Sequence, residues 1–139
     1  MTGYVDNIEE KTINNDYFRE VVFTGKYCQL VVMCLKPGEE IGSEVHKNID
    51  QFFRIEKGKG KVVINGKENQ FTNGVGIVVP AGSEHNVINI STSNDLKLPI
   101  RANRMTYFTP VRMNSPDKSG KAMALNMFNG TFTRKFGPT

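Results

Sequence analysis

From residue 21 onward the chain alternates short apolar runs with glycine, proline and asparagine. The runs fall at residues 21–23, 28–35, 44–46, 51–56, 60–64, 70–71, 76–79, 86–90 and 96–98. That spacing predicts short strands packed as an all-β sandwich or barrel. Asn65-Gly66, with apolar alternation on both sides, predicts a tight hairpin, because both residue types tolerate positive φ. Pro37-Gly38 and Pro80-Ala81-Gly82 mark two further turns. Before residue 100 no stretch sustains the 3.6-residue period of an amphipathic helix. Residues 1–20 are polar, with acidic and asparagine clusters, and could hold one short helix or an extended arm. Residues 105–110 could form one more strand and residues 121–128 a short helix. The expected layout is an arm over 1–20, a barrel over 21–110 and an extension over 111–139.

At 139 residues the chain is the size of one domain and can bury a core without staples. Its 38% hydrophobic and 23% charged residues exclude a disordered, collagen-like or coiled-coil chain. No apolar run approaches the ~20 residues that span a bilayer, so no membrane partner is expected. The N-terminus has neither a basic region nor an apolar one, and a cytoplasmic setting is expected. Cys28 and Cys34 stand six residues apart on one strand face, ~20 Å at strand rise, too far for a disulfide. Both read as reduced thiols. The formal charge of +4 is unevenly placed. Residues 1–100 carry 11 Lys and Arg against 13 Asp and Glu; residues 101–139 carry 7 against 1. Nucleic-acid binding by the body is therefore not expected, although the basic tail could meet an anionic partner.

Two histidines, His46 and His85, are the whole imidazole complement, and each lies beside a turn. Strand alternation puts Glu44 and His46 on one face, Gln51, Phe53 and Ile55 on another, and His85, Val87 and Asn89 on a third. If these faces all point into a barrel, two imidazoles, a carboxylate and an amide converge at its mouth. Such N/O donors suit Mn, Fe, Ni, Co or Zn.

The two segments resemble the paired motifs of the cupin superfamily. Gly38, Glu44-Val45-His46, Gln51 and Gly58 keep the spacing of the first motif. Gly74, Pro80, Gly82, His85 and Asn89 fit the second at each defined position, with 15 residues between Gly58 and Gly74. The resemblance covers roughly residues 20–98. Wording around residues 36–52 is similar to small single-domain cupins often called mannose-6-phosphate-isomerase-like, a name that carries fold likeness and not an activity. The resemblance implies a jelly-roll barrel, a homodimer, and a divalent transition-metal cofactor (Mn, Fe, Ni, Co or Zn) held by Glu44, His46, Gln51 and His85. Two positions depart from the family: Glu44 stands where the first histidine is usual, and Gln51 where the glutamate is usual. An amide is a weaker, neutral ligand, so an open coordination position is expected.

Each residue has a plainer reading. Glu44 could be a surface carboxylate at a strand end, and Gln51 a hydrogen-bonding residue that orients His46 or a water. Phe53 and Val87 read as barrel packing first and as substrate-lining residues second. Arg54 has the opposite parity from Gln51 and reads as outward-facing. The leading functional expectation is a metal-dependent enzyme acting on a small molecule in the barrel, with oxygenase, isomerase and lyase chemistry all open and the catalytic residues unassigned. The alternatives are a non-catalytic sugar- or small-ligand-binding module, and an interaction protein using the barrel as a scaffold.

Overall fold

The computed structural model describes residues 2–104. The expected strand at 105–110, helix at 121–128 and extension at 111–139 lie outside these residues. One short helix, α1 (Ile8–Ile13), precedes nine strands: β1 (Arg19–Thr24), β2 (Cys28–Leu35), β3 (Glu44–Val45), β4 (Ile49–Arg54), β5 (Gly60–Ile64), β6 (Lys67–Phe71), β7 (Gly76–Val79), β8 (Glu84–Asn89) and β9 (Leu96–Arg104). Asn7 caps α1, its side-chain oxygen accepting the Glu10 N–H at 3.0 Å. Among the described residues no helix is long and apolar enough to cross a membrane.

The strands form two antiparallel sheets, ordered β1-β2-β9-β4-β7 and β3-β8-β5-β6. This is the all-β packing that the alternating pattern predicts, in the jelly-roll form that the family resemblance implies. The core lies between the sheets. Val31, Met33 and Leu35 of β2, Phe53 of β4, Val62 of β5, Val87 of β8 and Leu96, Leu98 and Ile100 of β9 all point into it. Asn65 and Gly66 both take positive φ, +50° and +84°, and close the β5–β6 hairpin where the sequence places it.

Two features exceed the sequence pattern. First, β2 is buried on both faces, which explains its unbroken apolar run. α1 and the segment after it cover the outer face, where the Cys34 N–H donates to the carbonyls of Tyr17 and Phe18. Lys97 is drawn into the same layer and donates to the Asn15 carbonyl at 2.5 Å and the Asp16 carboxylate at 2.9 Å. Second, β9 runs through Pro99 to Arg104, whereas the apolar run ends at Leu98. A proline in a central strand removes a ladder donor. Here the β9 ladder to β4 stops at the Phe53–Ile100 pair, so the missing N–H falls at the ladder's end.

Candidate metal centre

Residues 44–46 and 82–85 are held together as one unit. Glu44 pairs with His85 across the β3–β8 ladder. The Gly82 N–H donates to the His46 carbonyl at 2.7 Å, and the Ala81 N–H to the Asp50 carboxylate at 2.8 Å. Gly82 has φ +86°, which a glycine adopts freely and a side chain would resist. The 80–83 turn is thus tied to the chain on both sides of residues 46–50, and this tie sets the separation of the two imidazoles.

Those imidazoles are buried, with ring centroids 5.4 Å apart. His85 Nδ1 lies 3.0 Å from the Ser83 carbonyl. A carbonyl only accepts, so Nδ1 carries the proton and the lone pair stays on Nε2, the state a metal-binding imidazole needs. His46 Nε2 lies 3.0 Å from Glu44 Oε1. Two donors ~2.1 Å from one ion at a right angle would be about 3 Å apart, so the pair is spaced as neighbouring ligands are. One ligand atom from each of Glu44, His46 and His85 falls within 4.8 Å of the others.

Gln51 is 1% exposed, and neither its Oε1 nor its Nε2 has a hydrogen-bond partner among the described residues. Its place on β4 puts it on the inner face, opposite Val79 on one side and Ala102 on the other. A fully buried amide with both ends unpaired is rare in a folded protein, because each lost partner costs about 1–3 kcal/mol. Phe53 is buried on the same inner face, its ring 6.2 Å from that of His85, and Val87 is buried two residues along β8. The donor set and the orphaned amide together fit a divalent ion with N/O ligation.

A second cluster has no signature in the sequence. Asp16, Cys34 and Asp95 also bring donor atoms within 4.8 Å of one another. Their chemistry differs. Lys97 pairs with Asp16 at 2.9 Å and Lys36 with Asp95 at 3.0 Å. Both carboxyls are held below the usual range by hydrogen bonds from these lysines. Burial pushes the Cys34 thiol up, which keeps it neutral. Each carboxylate already has its counter-charge, and the group reads as an ion-pair network at the surface. Arg54 faces outward as expected and pairs with Glu56 at 2.9 Å. It borders a groove of about 600 Å³ on the outer face of the five-stranded sheet, floored by Leu30, Phe52 and Pro99.

The cupin domain family matches residues 31–100. The chain belongs to this family. The matched span carries all of Glu44, His46, Gln51 and His85. Among curated relatives, an uncharacterized protein of Acanthamoeba polyphaga mimivirus is 44% identical over 99 residues, covering 68% of this chain and 61% of that one. The uncharacterized protein YrkC of Bacillus subtilis (strain 168) is 46% identical over 93 residues, covering 62% and 50%. The match therefore spans only about half to three-fifths of the length of these relatives. A crystal structure of BH2720 from Bacillus halodurans superposes with a TM-score of 0.70 at 34% identity, covering 75% of this cupin and 83% of that chain.

Asp50 is the site-supporting residue the sequence does not single out. It lies on the outer face of β4, beside Gln51, and only the fold reveals that its carboxylate holds Ala81. Asp50→Ala is expected to weaken metal binding about 10- to 100-fold, the range for groups that orient ligands. Asp50→Asn retains a carbonyl acceptor and should recover most of it. Chelator competition on the three proteins measures this. Equal affinities would leave Asp50 a structural turn residue only.

Proposed function

We propose that this cupin is a metal-dependent enzyme acting on a small molecule inside the barrel. In this reading Glu44, His46 and His85 hold one divalent transition ion, and Gln51 faces a remaining coordination position. The observation that carries it is the buried, unpartnered Gln51 amide on the inner wall of a barrel that also brings two imidazoles and a carboxylate within ligand distance.

When bound, the ion would polarise an oxygen of the substrate as a Lewis acid or, if redox-active, exchange electrons with it. The chain's own residues prepare the place. The Ser83 carbonyl orients His85 through Nδ1. A proton on His46 Nε2 toward Glu44 would have to leave that nitrogen, to Nδ1 or to solvent, before Nε2 could coordinate. The Gln51 amide offers a donor and an acceptor to the ion's remaining ligand, whether water or substrate. Phe53 and Val87 keep that space dry on one side. A second reading, a ligand-binding module without turnover, draws support from the neutral amide at position 51, which leaves the site with three ionisable donors, one imidazole short of the family's usual set.

The test is elemental mass spectrometry of protein purified without chelators, followed by uptake of added Mn, Fe, Ni or Zn. About one ion per chain is expected. A folded protein that holds none and takes up none would overturn the proposal. Bound metal without turnover across a broad substrate panel would favour the binding module.

A further inference from the structure

The inward face of β2 reads Gln29, Val31, Met33, Leu35, and only the first is polar. Gln29 is 5% exposed. Its Nε2 donates to the Thr24 hydroxyl oxygen at 2.8 Å, and Thr24 is exposed, so that hydroxyl can turn its own proton to water. With Nε2 turned to Thr24, Oε1 is left as an acceptor with no partner among the described residues. Gln29 pairs with Ala102, and Ala102 pairs with Gln51, so both glutamines stand on one inner rung with a single small residue between them. Two strand spacings set them about 10 Å apart. The third orphaned amide, Asn103, pairs with Asp50 and points to the outer face.

We infer that Gln29 is a specificity residue of the barrel, accepting a hydrogen bond from a hydroxyl or N–H group at the end of the ligand remote from the ion. This rests on the metal-centre reading above. A carbonyl oxygen accepts and cannot donate. It therefore favours an alcohol or amine and disfavours a carboxylate or phosphate, which carry no proton to give near neutral pH and would place negative charge against its lone pairs. The ligand class is a small polar compound with a metal-binding oxygen at one end and a hydroxyl- or amine-bearing tail at the other.

The full chain loaded with Mn(II) tests this with D-gluconate and D-glucarate, which differ only in a terminal hydroxyl against a terminal carboxylate. Calorimetry should find gluconate about tenfold tighter, or more, on the wild type. Gln29→Leu should weaken gluconate about tenfold and bring the two affinities together, with the bound Mn(II) unchanged and a melting temperature no lower than that of the wild type. Equal affinities on the wild type, no gluconate binding, or gluconate affinity unchanged by Gln29→Leu would overturn the assignment. A lower melting temperature with unchanged gluconate affinity would make Gln29 a brace of the β1–β2 hairpin, and would overturn it too. Mn(II) content separates the two readings. Its absence from the wild type sinks the metal centre, whereas Mn(II) present in both proteins with equal sugar-acid affinities sinks only the role of Gln29.

Discussion

A His46→Ala/His85→Ala protein is expected to fold and to hold no divalent ion. Losing both imidazoles leaves Glu44 as the one charged donor of the cluster. If each imidazole contributes about 100-fold, affinity falls about 10⁴-fold, or about 5.5 kcal/mol, which takes an ordinary metal site below detection in a desalted sample. The fold should survive because neither histidine belongs to the apolar core. The contacts of His85 with Phe53 and of His46 with Glu44 are lost, but so is the burial of two polar rings. Elemental analysis with circular dichroism checks both halves. Metal retained at the wild-type level would place the ion elsewhere, with Asp16, Cys34 and Asp95 next to be tested. Should the double variant not fold, His85→Gln keeps the volume and removes the imidazole.

Gln51→Glu is expected to move stability in opposite directions with and without metal. In the metal-free protein a carboxylate at this buried position has no hydrogen-bond donor among the described residues. It would be neutralised rather than left charged. Holding it protonated at pH 7, against an ordinary value near 4.3, costs about 3 to 4 kcal/mol, less whatever an imidazolium at His46 or His85 returns. Its folded value is raised. Relative to the wild type, the metal-free variant should therefore lose stability as the pH rises from about 4 toward that raised value. With an ion bound the same carboxylate is a charged ligand, and affinity should rise about 10- to 100-fold over the amide. Thermal melts of apo and loaded forms at pH 5 and pH 7, beside chelator competition, measure it. Unchanged melts and unchanged affinity would mean that Gln51 does not face the ion.

Much of the fold and of the candidate site is legible in the order of residues. Alternation alone places Glu44 with His46, and Gln51 with Phe53, on shared faces, and the Gly–Pro punctuation separates the strands. What the sequence hides is whatever depends on who sits across a ladder. Gln29 lies in β2, far from both motifs, and its kinship with Gln51 appears only when β9 inserts between their strands. Asp50 has outward parity, which reads as solvent-facing until the 80–83 turn arrives above it. β9 reads as shorter than it is, because a proline signals an end unless the neighbouring ladder ends there too. Lys97 has the outward parity of its strand, and the segment after α1 makes it an interior residue.

Glu44, His46 and His85 all come from the β3–β8 side, in the smaller sheet, whereas Gln51 stands on β4 in the larger one. An ion contacting all four would act as a clasp between two plates. Parting the plates would unfasten only the amide, while the imidazoles and the carboxylate stayed registered by the β3–β8 ladder and the Gly82 bond to His46. The hinge of such breathing and the grip on the metal are therefore separate properties of the chain. A barrel built this way would loosen to exchange its contents without surrendering a bound ion.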